Sequence, residues 1–386
     1  MIPPAPQQPI DGHDQHSHRH GKSPKLENYL RAMTKAGASG LHLKAGAVPH
    51  IRIGTEIRPV GAAPLGGDDI LEMAMEVLTE RQQAYFLEHG SIDLAHELPG
   101  GDRFRLNAYR QRGETSIAVR RVNREIPDLE KLHLPPAIAR IVELRQGLIL
   151  VCGTTASGKS TTIAAMIEHI NRTRRCHVVT IEDPIEYLYQ DKQALINQRE
   201  IGIDVLNYAD AMKHVVREDP DVIMIGDLRD RETLDAAIQA AEMGHLVFAS
   251  LYSPGAAQTI GRILDLFPPD IRQHVRGSLA LNIQAIICQK LLPSILAGVD
   301  RVPAVEILLV NPIARQLILE GRDAELPELI RIHERDGMQS FTRSLLELIQ
   351  KEHVDPKVAY EAAPNAEELK MLMKGISASR PGFLGR

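Results

Sequence analysis

The sequence contains no tryptophan, and aromatic residues make up only 4% of its 386 positions. A core without large rings has to be filled by Ile, Leu, Val, Ala and Met. Cysteine is nearly absent as well: Cys152, Cys176 and Cys288 stand far apart, with no CxxC pair. An odd, scattered set speaks against a disulfide framework or a structural zinc site. Reduced thiols in a cytoplasmic protein are the expectation. No apolar run reaches the ~20 residues that span a bilayer, so direct membrane insertion is not expected. The first residues are rich in Pro, Gln and His and lack the apolar segment of a secretory signal. A charge excess is missing too. The net charge of −5 gives no global pull towards nucleic acid or anionic lipid, and no nucleic-acid partner is expected.

What is present points to two α/β domains. A chain of 386 residues is too long for one ordinary core. Residues 1–24, "MIPPAPQQPIDGHDQHSHRHGKSP", read as a disordered tail. His13, His16, His18 and His20 in it could capture a metal ion, but no rigid scaffold fixes their geometry. Residues 25–122 read as a mixed α/β domain. "KLENYLRAMTKAG" has helical spacing and ends at Gly37, and "GLHLKAG" and "HIRIGTEIRPV" alternate as short strands. "DDILEMAMEVLTERQQAYFLEHG" reads as a second amphipathic helix, before strands in "SIDLAHEL", "RFRLNAYRQR" and "TSIAVRRV". The stretch 123–137, "NREIPDLEKLHLPPA", holds three prolines and reads as a linker. From 138 to 375 apolar runs alternate with helical patterns: "GLILVCG", "CHVVTI", "DVIMIG" and "HLVFASL". That alternation predicts a parallel sheet covered by helices. Beyond about residue 270 the patterns are mainly helical, with one strand in "AVEILLV", and 376–386 reads as a flexible tail.

The strongest local signal is "GTTASGKS", Gly153–Ser160, which fits GxxxxGK[ST] between a strand pattern and a helix pattern. The residue types follow from the chemistry of holding phosphate. Backbone N–H groups of Gly153, Thr154, Thr155, Ala156, Ser157 and Gly158 surround phosphate oxygens, and the helix N-terminus adds positive potential. Lys159 would reach the β- and γ-phosphates, Ser160 would bind Mg²⁺, and Thr161 follows in the first helical turn. ATP and Mg²⁺ are therefore the expected cofactors.

Downstream lie "TIEDPIEYLY" (180–189), "INQREIG" (196–202), "VVREDPDVIMIGDLRDRETLDAAIQAAEMGHLVFASL" (215–251) and "RILDLFP" (262–268). Together with "GASGLHL", "RFRLNAYRQRG" and "NPIARQLILEG", this series resembles the secretion ATPase superfamily, and within it the type IV pilus retraction ATPases of the PilT/PilU kind. The resemblance implies an N-terminal PAS-like α/β domain joined to a RecA-like P-loop ATPase domain with a helical C-terminal region. It implies a ring of six chains, with ATP between the two domains of each chain. Hydrolysis would turn an inner-membrane platform protein and withdraw pilin subunits, which places the protein in the cytoplasm, peripheral to the inner membrane through its partners. The homo-hexamer and a mixed ring with a paralogous motor both remain open.

By the same resemblance, Glu182, Asp183 and Glu186 of "EDPIE" lie near the attacking water and metal, where a carboxylate can orient either; an acidic turn is the plainer alternative. Arg112 and Arg120, on strands of the first domain, would reach the γ-phosphate with a planar cationic fork. For Arg105 simple strand alternation explains the residue equally well. Asp227 stands where the family's strand ends in a catalytic glutamate, and also near the metal. His245 matches the family's histidine box as a catalytic candidate.

The sequence departs from the family at several of these positions. Asp227 is shorter than glutamate by one C–C bond, roughly 1.5 Å, and a misplacement of that size costs on the order of a hundredfold in rate. Tyr252 replaces the second histidine of the box and cannot carry a proton near neutral pH; a packing role is as good a reading. Thr154 replaces proline, Ala156 replaces glycine, and Gly40 replaces aspartate. Ala156 would be strained if the backbone there needs a positive φ. The expectation is retained nucleotide binding with slow hydrolysis. One alternative is an accessory subunit that binds ATP and hardly hydrolyses it. Another is a pilus-assembly or type II secretion ATPase, but those relatives commonly carry four zinc-binding cysteines where this chain has only Cys288.

Overall fold

The first helical pattern forms α1 (Lys25–Lys35), which buries Leu26, Leu30 and Met33. It stops where Gly37 takes a φ of +65°, a conformation glycine adopts without a Cβ clash. The computed structural model describes residues 25–375 apart from 55, 62, 100, 101, 123 and 124. The expected tails, 1–24 with its histidine cluster and 376–386, lie outside the described residues. The chain divides into two units, one ending at Arg121 and the other beginning at Val122.

In the first unit, β1 (Gly40–Lys44), β2 (His50–Ile53) and β3 (Glu56–Pro59) are followed by α2 (Gly67–Val77) and α3 (Glu80–His89). The single helix expected over this stretch is thus two. The chain leaves helical geometry at Leu78, and Thr79 caps the new helix. The Thr79 hydroxyl accepts from Gln82 N at 3.4 Å, while the Gln82 side chain accepts from Thr79 N at 3.0 Å. This reciprocal pair satisfies two donors that a helix start leaves orphaned. Then come β4 (Ser91–Glu97), β5 (Arg103–Gln111) and β6 (Glu114–Arg121). The six strands pair antiparallel in the order β3-β2-β1-β6-β5-β4. Alternation sends Leu41, Leu43, Phe104, Leu106, Ile117 and Val119 into one core with Ile70 and Met73 of α2, and leaves Arg105 and Arg120 exposed.

In the second unit, part of the stretch 123–137, read as the linker, packs into the fold. Leu129 is buried in its core, and Arg172 donates to the Asp128 carboxylate. The order continues as α4 (Ala137–Val142), β7 (Gly147–Cys152), α5 (Lys159–Thr173), β8 (His177–Glu182), β9 (Leu195–Glu200), α6 (Tyr208–Val215), β10 (Val222–Ile225), α7 (Arg231–Glu242) and β11 (Leu246–Leu251). It closes with α8 (Ala256–Asp265), α9 (Arg272–Asn282), β12 (Ile283–Pro293), β13 (Arg301–Leu309), α10 (Pro312–Leu319), α11 (Leu326–Ile332), α12 (Phe341–Gln350), α13 (Pro356–Ala362) and α14 (Ala366–Met373). The mainly helical reading beyond 270 therefore missed β12, an 11-residue strand that starts directly where α9 ends.

The seven strands run in the order β13-β12-β7-β11-β10-β8-β9, and every pair is parallel except β12 with β13. Successive residues of β7 and β11 face opposite cores. Leu148, Leu150 and Val247 pack on one side, while Ile149, Val151 and Phe248 meet Ile163, Ile167 and Ile170 of α5 on the other. Burial on both faces explains why these strands read as continuous apolar runs rather than alternating ones.

Replacing Thr79 with alanine removes the cap of α3, and urea unfolding should show a loss of about 1 kcal/mol. An unchanged unfolding midpoint would mean that the break between α2 and α3 does not depend on the cap.

Candidate functional site

Strand β7 lies between β11 and β12, whereas the chain after β7 crosses to β8 and then steps back through β10 and β11. In such sheets ligands bind beyond the carboxyl ends of the strands where the order reverses. The loop 153–158 leaves β7 at that end. Glu182 ends β8, Asp227 follows β10 by two residues, and Tyr252 follows β11.

The loop curls because several of its residues take positive φ: Gly153 at +150°, Ala156 at +61° and Gly158 at +89°. Ala156 thus meets the condition under which alanine is strained. Thr154, Thr155 and Ala156 form the exposed tip, Ser157 and Lys159 are buried, and Ser160 is half-buried. The Lys159 ammonium donates to the carbonyl oxygens of Gly153 at 3.1 Å and Thr154 at 3.0 Å. It also stands 4.3 Å from the centre of the Tyr252 ring, a cation–π contact. Burial lowers the Lys159 pKa, and the negative charges of Asp227 and Glu186 oppose that shift. Thr161 shares a 2.8 Å hydrogen bond with the Tyr187 hydroxyl.

The four carboxylates differ in setting. Glu182 is buried and accepts from Thr180 Oγ1 at 2.8 Å, Gln198 Nε2 at 3.0 Å and Glu186 N at 3.4 Å. Even so, burial outweighs these donors and pushes its pKa up to about 7. Glu186 is exposed, as is Asp183. Asp227 is buried; its Oδ2 accepts from Arg229 Nε at 2.7 Å, and its Oδ1 has no hydrogen-bond partner among the described residues. Ser250 Oγ donates to Gly226 O at 2.7 Å, and Leu228 N donates to Ser250 O at 2.9 Å, which pins the backbone on either side of Asp227.

Two expectations need correction. His245 precedes β11, and Leu246 pairs with Gly147 at the start of β7 while Leu251 pairs with Cys152 at its end. The histidine is therefore at the opposite edge of the sheet from its own chain's loop, about 17 Å away at ~3.3 Å per residue. Its Nδ1 is 2.8 Å from Pro220 O. Tyr252, at the other end of the same strand, is the residue that meets Lys159. Arg112 is not on a strand: with φ of +53° it forms, with Gly113 at +82°, the tight turn between β5 and β6. Arg120 is on β6, directly opposite Arg105 on β5, and Arg105 Nε lies 3.7 Å from Asp93.

One residue of the site carried no sequence signal. Gln289, on β12, is buried and bonded to both Ser157 and Thr162. Cys288 beside it pairs in register with Cys152, and both are free, buried thiols. Among the described residues no group of His, Cys, Asp and Glu forms a metal cluster.

The family model described as "Type II/IV secretion system protein" matches residues 97–326. The chain is similar to the type IV pilus ATPase PilU of Pseudomonas aeruginosa, 36% identical over 91% of each chain. It is similar also to the type IV pilus retraction ATPase PilT of the same organism, 38% identical over 88% of this chain and 98% of that one. Among solved structures, the pilus retraction motor PilT with bound ADP superposes with a TM-score of 0.83 at 40% identity, covering 90% of this chain and 99% of that one.

Two outcomes follow from the loop and the buried carboxylate. A left-handed alanine costs ~1–2 kcal/mol, and glycine gives back ~0.4–1 kcal/mol through the unfolded chain, so Ala156→Gly should stabilise by roughly 0.5–1 kcal/mol. A melting point raised by about 1–3 °C checks this. For Glu182 the folded pKa of about 7 lies above its ordinary 4.5, so the folded state holds the extra proton. Stability from this group is present below pH 4.5 and is lost as pH rises through about 7. Urea unfolding of Glu182→Gln, which stays neutral, should gain on the native chain by up to ~3 kcal/mol between those limits. A difference that does not vary with pH would rule out the buried proton.

Proposed function

The chain belongs to the type II/IV secretion system protein family, among its type IV pilus retraction ATPases, and from that membership we propose an ATP-driven ring motor of pilus disassembly whose hydrolysis is slow. The supporting observation is the gathering, at one edge of the second unit's sheet, of a P-loop with a buried lysine and two buried carboxylates, Glu182 and Asp227.

In this reading the backbone N–H groups of Thr154, Thr155, Ala156 and Gly158 and the start of α5 hold the phosphates, those of Gly153 and Ser157 being spent on Leu251 O and Thr154 O, and Lys159 neutralises the β- and γ-oxygens. Asp227 aligns the attacking water. Glu182, with a pKa of about 7, is matched to take its proton near neutral pH. Ser160 and Asp227 would hold Mg²⁺. The donor set suits a hard cation, a hydroxyl and a carboxylate, and the buried Oδ1 of Asp227 has a place for a partner. When bound, Mg²⁺ would neutralise charge on the phosphate oxygens. Glu186 is an exposed third carboxylate that would act through solvent. Arg112 and Arg120 are proposed to meet the γ-phosphate.

The relatives' names support pilus retraction as the work done. A ring of six identical chains, or a mixed ring with a paralogous motor, would act on an inner-membrane platform protein from the cytoplasmic side. Among the described residues no helix is long and apolar enough to cross a membrane. One observation favours a second reading, the accessory subunit with little hydrolysis: Arg229 takes one oxygen of the Asp227 carboxylate and neutralises its charge, which leaves only Oδ1 for water or metal.

Steady-state ATPase measurement on the assembled protein tests both. The expected result is slow turnover that Asp227→Glu raises by on the order of ten- to a hundredfold. Lys159→Ala should abolish nucleotide uptake. Turnover like that of an ordinary family motor, unchanged by Asp227→Glu, would overturn the slow-hydrolysis reading. Acceleration of a standard retraction motor only when this chain is mixed with it would favour the accessory subunit.

A further inference from the structure

We propose that Gln289 is a positioning residue for nucleotide binding: its carboxamide holds the phosphate loop in its receptive shape from a neighbouring strand. The inference rests on the reading that the loop takes nucleotide. Gln289 is 3% exposed, on β12, and lies 132 residues from one partner and 127 from the other. Its Nε2 donates to Ser157 O at 2.8 Å, and its Oε1 accepts from Thr162 Oγ1 at 2.9 Å. A carboxamide is suited to this bridge because it offers a donor and an acceptor in one rigid plane. One end holds the loop and the other holds the first turn of α5.

The bond to Ser157 O does more than fill a space. In a trans peptide the C=O and the following N–H point in opposite directions. Fixing Ser157 O on β12 therefore turns the Gly158 N–H away from β12, and loop N–H groups left free of internal partners are what a phosphate requires. The same strand explains two glycines of the loop. A Cβ on Gly158 would lie 2.6 Å from Gln289 Nε2, and one on Gly153 would lie 2.5 Å from Gln289 O. Both ends of the loop thus close on residue 289. Its neighbours on β12 could not substitute, because Cys288 and Lys290 point to the other face of the sheet.

The test compares ADP affinity, read by calorimetry, with unfolding of the nucleotide-free protein. Gln289→Met keeps length and removes both hydrogen bonds. It should weaken ADP at least tenfold at a temperature where the variant is fully folded. Gln289→Glu keeps the acceptor for Thr162 but sets a carboxylate against Ser157 O, and should lose at least as much. Thr162→Val removes only the helix-side bond, should weaken ADP severalfold, and should add little on top of Gln289→Met, since both act through one bridge. Native-like ADP affinity in folded Gln289→Met would overturn the proposal. If that variant does not fold, unchanged affinity in Thr162→Val overturns it instead. A native chain that takes up no ADP would sink the nucleotide reading itself, which is a separate failure.

Discussion

A loop that grips a polyanion with its own N–H groups must leave those donors unpaired within the protein. Its shape cannot come from ladder bonds and has to be imposed from outside. The second unit meets this constraint on every side. Strand β7 delivers one end of the loop and α5 receives the other. Gly153 N is tied to Leu251 O of β11 at 3.2 Å, and the far flank rests on β12. The left-handed backbone at residues 153, 156 and 158 is the conformational cost of the curl, and at Ala156 it is borne by a residue with a Cβ.

The charges follow the same logic. A buried ammonium is costly unless donors are matched and opposite charge is near. Lys159 has two carbonyl oxygens, an aromatic face and nearby carboxylates, yet desolvation still pulls its pKa down. Glu182 shows the mirror case, with three donors that do not overcome burial. Asp227 differs from both, because one oxygen is held by Arg229 while the other has no partner among the described residues. The site therefore has a cation weakened by dehydration in the loop after β7 and, at the end of β8, a carboxylate able to keep a proton near neutrality.

Local signals were legible in the sequence, and features made by the fold were not. The phosphate loop announces itself because strand, turn and helix are consecutive. The parallel strands are visible as apolar runs because both of their faces are buried. Strand β12 was hidden since Ile283 follows α9 with no turn residues between, and a short buried strand cannot be told from a buried helix by periodicity. The break between α2 and α3 did leave a mark, Thr79 followed by Gln82 at capping-box spacing, that an unbroken amphipathic reading passed over. His245 and Tyr252 look like one short motif, but a six-residue strand separates them and sends them to opposite edges of the sheet. Arg112 looked like a strand residue because only the Gly113 beside it betrays the turn. Gln289 has no motif at all; its meaning exists only once β12 lies beside β7.

The position of β12 also limits how this chain can change length. Side chains on a strand alternate between faces, so a slip of one residue reverses them all. A single insertion or deletion in the helices α8 or α9, carried through into the pairing of β12 with β7, would turn Gln289 into the core on the sheet's other face, where Cys288 now lies, and bring a thiol or an ammonium to the loop instead. The helical stretch ahead of β12 has no conspicuous signature, yet its residue count behaves as part of the nucleotide pocket's specification.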